Sequence, residues 1–256
     1  MMPDTVPYCG PAPVPAEFWA SWNFDPLLLT GLLGLAVAFG FHVRRQPEPQ
    51  KARSSALFIA GWLLLAVVFV SPVCALSSAL FSARVAHHTV LVAFAAPLIA
   101  LAWTSHPAGE MSQGLRLGIA TLLQTIAVWV WHAPAPYAAA MAHHGLFWLM
   151  ELSLLGTALF FWRAVFACRS PGGVALALLG TTVQMGFLGA LITFARTPLY
   201  EPHLATTLPW GLTPLEDQQL AGLIMWVPPA IPYIAVALLQ VSRWLDGMET
   251  RTASNG

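Results

Sequence analysis

Apolar residues run along this chain in long blocks separated by short polar breaks. A helix needs about 20 mostly apolar residues to cross the hydrocarbon core of a bilayer. Seven blocks meet that need, at roughly residues 25–43, 55–75, 82–103, 115–132, 145–167, 173–195 and 217–242. None alternates apolar and polar positions with a period of two, so a closed β-barrel, the other way to span a membrane, is rejected. The pattern predicts an all-α membrane protein with seven transmembrane helices. A Pro-rich extended tail (1–24) precedes the bundle (25–242), and a short tail (243–256) follows it. The connections are short and leave no room for a soluble domain. Pro97 in the third span, and Pro228, Pro229 and Pro232 in the seventh, each remove a backbone donor and bend the helix.

Basic residues set the expected orientation. Arg44, Arg45, Lys51, Arg53, Arg116, Arg163, Arg169, Arg243 and Arg251 fall on one side, nine of the eleven basic residues. Only Arg84 and Arg196 fall on the other, with the N-terminal tail. The expectation is an N-terminus outside, in a bacterial periplasm, and a cytoplasmic C-terminus, in a multi-pass protein of the bacterial inner (plasma) membrane. Trp103, Trp129, Trp131, Trp210 and Trp244 fall near span ends, where amphipathic rings prefer to sit.

Composition narrows the class. Charged residues make up 9% of the chain, against roughly 25% in soluble domains, and mean hydropathy is +0.69. The net charge of zero carries no nucleic-acid footprint. The N-terminus has neither a basic nor an apolar leader region, so it does not read as a cleaved signal peptide. Cys9, Cys74 and Cys168 are too few and too scattered for a disulfide framework, and no CxxC or zinc spacing occurs.

With orientation assigned, the histidines become informative. His87, His88, His132, His143, His144 and His203 collect at the outer side, and only His42 and His106 fall inside. The stretch Trp131–Glu151, WHAPAPYAAAMAHHGLFWLME, joins two spans through a Pro- and Ala-rich loop. It holds His132, His143, His144 and Glu151. His144, Trp148 and Glu151 share a helix face at i, i+4 and i+7, with Glu151 roughly 10 Å deeper along the axis. A carboxylate inside a span is costly and usually faces the bundle interior. His87 and His88 lie about 100° apart around the third span, so at most one points squarely inward. Arg84 shares the His88 face and would repel a bound cation. Glu216, Asp217, Gln218 and Gln219 open the seventh span. Acidic residues suit a helix N-terminus, but four polar residues at the mouth of an apolar bundle could also form a cation-accepting rim. Imidazole suits copper and zinc, and thioethers favour Cu(I). Met141, Met150 and Met185 are available, although methionine is also ordinary apolar filler.

Three motifs carry a resemblance. LTPLEDQQLAGLIMWVP, in the seventh span, looks very like the C-terminal signature of the seven-span CtaG-type cytochrome c oxidase assembly factors. WHAPAPYAAAM resembles that family's Trp-His-x-Pro-x-x-Tyr element, and FSARVAHHTVLVAFAAPL its third-span element. The resemblance implies a role in maturing the copper-containing oxidase through copper supply. It carries over His88 and His132, with Glu216, Asp217 and Gln218 in the last motif. The sequence departs from the family pattern at Arg84, Phe147 and Glu151, where the family shows histidines. His87, His143 and His144 could compensate, and the Tyr8-Cys9-Gly10 tail offers a soft ligand.

The resulting expectation is an assembly factor, not an enzyme. It binds or delivers copper, Cu(I) favoured, at the outer membrane face through His88, His132, His143, His144, Glu151 and His87. Its expected partners are cytochrome c oxidase subunits, periplasmic copper carriers and the lipid bilayer, with no nucleic acid. The alternative is an accessory or docking subunit of a respiratory oxidase that binds no metal. A haem-bearing membrane protein fits worst, because haem needs axial ligands within spans and these histidines fall near span ends.

Overall fold

The structure, a computed structural model, describes residues 6–103 and 111–254. His106 lies outside them. Among the described residues every regular element is helical. The helices are α1 (Pro26–Val43), α2 (Glu48–Val70), the short α3 (Val73–Ala79), α4 (Phe81–Ala102), α5 (Gln113–His132), the short α6 (Pro134–Ala142), α7 (His144–Ala167), α8 (Pro171–Thr193) and α9 (Pro214–Ser254). All but α3 and α6 are long and apolar enough to cross a membrane, α9 through its Pro214–Ser242 part. These are the seven spans expected from the apolar blocks.

Local chemistry explains most helix starts. Asp25 accepts the Leu28 N–H at 2.9 Å, with Pro26 at the first helical position of α1. Ser112 caps α5 and Ser170 caps α8 in the same way. Pro134 opens α6. The Pro-Ala stretch after His132 is therefore a short helix rather than the expected loop, because a proline in the first turn gives up only an N–H that would have had no helical partner.

α4 is the centre of the bundle. Its crossing stretch is 72% buried, and no other exceeds 39%. It packs against α2, α7 and α9. Midway it changes to a π-helical segment, Val90–Ala95, and Pro97 explains why. In that register the Ala96 N–H reaches Leu91 O. The next acceptor, Val92 O, would need an N–H on residue 97, and proline has none. The Trp162 indole of α7 donates to Val92 O instead, at 3.0 Å. α8 and α9 meet through glycines. A Cβ at Gly189 would stand 2.7 Å from the Gly222 carbonyl, and one at Gly222 would strike Thr193. Small residues let helix backbones approach in this way within membranes.

The N-terminal face is more built-up than the sequence predicts. The connection 194–213 is long and carries two 3₁₀ turns, Glu201–His203 and Leu208–Trp210. Residues 6–25 lie across this face as a strap. Val6 O accepts from the His144 ring at 3.0 Å, Pro13 O accepts from Trp210 at 2.9 Å, and the Asn23 N–H donates to Val70 O at 2.9 Å. A Cys9–Cys74 disulfide ties the strap to α3. This corrects two readings of the sequence. The cysteines are not all unpaired, since tertiary folding brings positions 65 residues apart together, and in this bonded form Cys9 is not a thiol ligand.

Candidate functional site

Beneath the strap lies a buried polar cluster. Arg84, His87 and His88 come from the first turns of α4, His132 from the end of α5, and Glu151 from two turns inside α7. All five side chains are buried. Arg84 Nη1 donates to Glu151 Oε1 at 3.1 Å. The Arg84 guanidinium also sits 5.0 Å over the Phe147 ring and points Nη2 toward Met141 Sδ at 3.7 Å. His87 Nε2 lies 3.4 Å from Glu151 Oε2, and His88 Nε2 lies 3.3 Å from Oε1. Adjacent histidines therefore both face inward, contrary to the helical-wheel expectation. α4 is enclosed on every side, so both of their directions are interior. Arg84 faces inward as well, and Glu151 balances the charge that was expected to repel a cation.

The ring nitrogens can be assigned from their partners. An ionised carboxylate only accepts, so His88 carries its proton on Nε2, toward Glu151. The His132 Nδ1–H donates to Val128 O at 2.7 Å. That leaves His88 Nδ1 and His132 Nε2 as lone-pair nitrogens, and they face each other at 3.4 Å with the rings nearly perpendicular. Below them is a cavity of about 20 Å³, walled by the π-helical segment through Val92 and Ala93.

The other candidates go elsewhere. His143 and His144 are exposed, and His144 holds the strap. The polar residues opening α9 form no open rim. Glu216 accepts the Thr213 N–H at 2.8 Å and its hydroxyl at 2.7 Å, a capping box. Asp217 is buried and caps α4: it accepts the backbone N–H groups of Phe81 at 2.7 Å and Ser82 at 3.2 Å, and the Ser82 hydroxyl. Gln218 accepts the Leu199 N–H at 2.7 Å and donates to Ile192 O at 3.2 Å. Each supplies partners that neighbouring backbone needs, so the rim expected from their clustering is replaced by structural roles. Among the described residues, no three His, Cys, Asp or Glu side chains converge as a metal site.

Residues 36–247 match the sequence profile of the cytochrome c oxidase caa3 assembly factors. The chain belongs to that family. Comparisons with curated proteins and with solved structures find no match. In this assembly factor, of the three departures from the resembled histidine pattern, Arg84 contacts both Phe147 and Glu151. An ion pair lying on an aromatic ring stands where the pattern has imidazoles.

The Tyr of the Trp-His-x-Pro-x-x-Tyr element also has a clear role. The Tyr137 hydroxyl lies 2.6 Å from His203 Nε2, and the Tyr200 hydroxyl donates to His132 O at 2.7 Å. Burial raises both phenols, so they remain protonated donors. Burial also pushes His203 from its usual 6.5 down to about 4, with the Ala79 carbonyl opposing and the Arg84 charge adding to the fall. Above pH 6.5 the ring is neutral whether folded or not. Between 6.5 and 4 only the unfolded chain takes the proton, so stability falls with pH through that window. Thermal unfolding in detergent is expected to show this acid-side loss in wild type and a smaller one in His203→Gln. Parallel profiles for the two proteins would refute it.

Proposed function

We propose that this assembly factor binds copper through His88 and His132 and passes it to the oxidase at the face where the N-terminal strap lies. One observation carries the reading: two buried imidazoles turn lone pairs toward each other, while their other nitrogens are committed to Glu151 and to Val128 O. Two lone pairs at that distance repel each other, and a cation held between them removes the repulsion. Ligating histidines commonly donate their second N–H to a carboxylate or a backbone carbonyl, and both arrangements occur here. The lone pairs stand 3.4 Å apart, which is the edge length, about 3.3–3.4 Å, of a tetrahedral ion with ~2.0–2.1 Å bonds to nitrogen. Imidazole donors and the copper content of the oxidase favour copper as the cargo.

Two observations support an outer position for this face, in a bacterial inner membrane. Basic residues concentrate on the opposite side, and disulfides such as Cys9–Cys74 persist in oxidising compartments. The role is cargo handling rather than catalysis. Partners are then the oxidase subunit that receives copper and periplasmic carriers that supply it. The metal-free docking reading draws on the lack of three converging His, Cys, Asp or Glu side chains among the described residues.

Deletion in the native host separates these readings. Oxidase activity is expected to fall in copper-poor medium, to recover partly with added copper, and to be restored by wild type but not by a His88→Ala/His132→Ala variant present at normal level. Normal activity of the deletion strain in copper-poor medium would overturn the assignment. Full complementation by the double variant would leave only the docking role.

A further inference from the structure

We infer that the metal site is a buried four-helix pocket for Cu(I), in which the thioethers of Met185 and Met225 complete the coordination begun by His88 and His132. The inference rests on the copper reading above and specifies its ligands, oxidation state and depth. The observation behind it is the cavity. His88 of α4, His132 of α5, Met185 of α8 and Met225 of α9 all line it, one donor from each helix. All four side chains are buried. The remaining wall is almost wholly aliphatic, with Thr89 its other polar residue.

Size, ligand softness and charge select the ion. The first is size. The cavity measures about 20 Å³, enough for one water-sized occupant. The second is ligand softness. Imidazole accepts several metals, but thioethers select Cu(I) over zinc and other harder divalent ions. The third is charge. Glu151 is the acid beside the pair, and Arg84 already neutralises it. The four donors are neutral, so any ion brings its whole charge into the membrane interior. Burying one charge costs far less than burying two. A monovalent soft cation therefore fits the site, and Cu(II) and Zn(II) fit poorly.

The backbone around the cavity is shaped for it. The π-helical segment puts one extra residue into α4 just below His88, and Val92 and Ala93 from that segment form the wall. Such segments are rare and recur at functional sites. Met185 and Met225 stand on the two helices held close by Gly189 and Gly222, so glycine packing fixes their spacing.

The test is a Cu(I) titration of the purified full chain in detergent, with ascorbate as reductant so that the disulfide survives, against a competing Cu(I) chelator. X-ray absorption of the loaded protein follows. One equivalent of Cu(I) is expected, with sulfur scatterers and with Zn(II) bound far more weakly. Met185→Leu/Met225→Leu keeps volume and shape, so it is expected to fold like wild type by thermal unfolding and gel filtration. It should lose the sulfur signal and bind Cu(I) roughly tenfold more weakly or worse, since even outer-sphere changes cost about 10–100-fold. Cu(I) bound through nitrogen alone in wild type, or unchanged affinity in the methionine variant with loss only in His88→Ala/His132→Ala, would overturn this site and leave the copper reading standing. No Cu(I) binding by wild type, as when the cavity holds a single water between the imidazoles, would overturn both.

Discussion

Glu151→Ala is expected to destabilise the protein by about 3–5 kcal/mol, because it leaves Arg84 charged, buried and unpaired. Arg84 is fully buried and Glu151 nearly so, and their contact is a direct 3.1 Å ion pair. Arginine stays charged, so it has no neutral form to retreat to. Met141 and the Phe147 ring give the guanidinium soft contacts, which do not replace a carboxylate. Glu151→Gln should show a smaller part of the loss, since the amide oxygen still accepts a hydrogen bond. Arg84→Met/Glu151→Leu should recover most of the stability, because well-packed apolar residues often replace a buried pair at no net cost. Thermal unfolding of wild type and the three variants in one detergent checks this order. A Glu151→Ala protein as stable as wild type would show that the pair is not formed. A double variant as poor as the single would show that the loss comes from packing rather than unpaired charge. The double variant also removes the acceptor that orients His88, so under the proposed copper role any Cu(I) affinity should fall while the fold returns.

Breaking the Cys9–Cys74 disulfide is expected to cost about 2–4 kcal/mol and to free the strap. The bond closes a separation of 65 residues, which in the loop-entropy account puts it toward the upper end of that range. Its local effect is larger than its share of the chain. Tyr8 stacks on Phe147 at 4.8 Å and meets Trp148 edge-on at 5.0 Å. Trp148 stacks on Phe69, whose edge meets His87 at 4.7 Å. This aromatic roof covers the ion pair, and Cys9 Sγ itself lies 3.9 Å from Arg84. Cys9→Ser/Cys74→Ser should lower the unfolding midpoint and expose residues 6–24 to limited proteolysis. Adding a reductant to wild type should reproduce both changes. Resistance to proteolysis unchanged from oxidised wild type would show that the roof holds without the bond.

The contact among Arg84, Phe147 and Glu151 also bears on how this chain differs from the pattern it resembles. Read singly, each departure weakens the case for a metal. Read together, they form one neutral, packed unit that leaves His88 and His132 intact and adjacent. His88 and His132 also line the cavity below.

The spans were legible in the sequence because crossing a bilayer imposes a length and an apolar composition that no tertiary contact alters. Asp25, Ser112 and Ser170 as helix caps are local in the same sense. His88, His132 and Glu151 stood out because polar groups are rare in spans and gather for a reason. His143 and His144 shared that signal, but a residue at a helix mouth can turn outward, and both did. Asp217 shows the limit most clearly: its carboxylate reads as a rim ligand, yet it caps a helix more than a hundred residues earlier in the chain. The cysteine pairing, the Arg84–Glu151 pair and the shared cavity of Met185, Met225, His88 and His132 have that character. The sequence by itself determined how many helices cross and which residues are costly to bury, since both depend on short stretches of chain. Only the tertiary structure decided which of those residues meet, because contacts between helices depend on rotation and register, and neither is written in the apolar pattern of a single span.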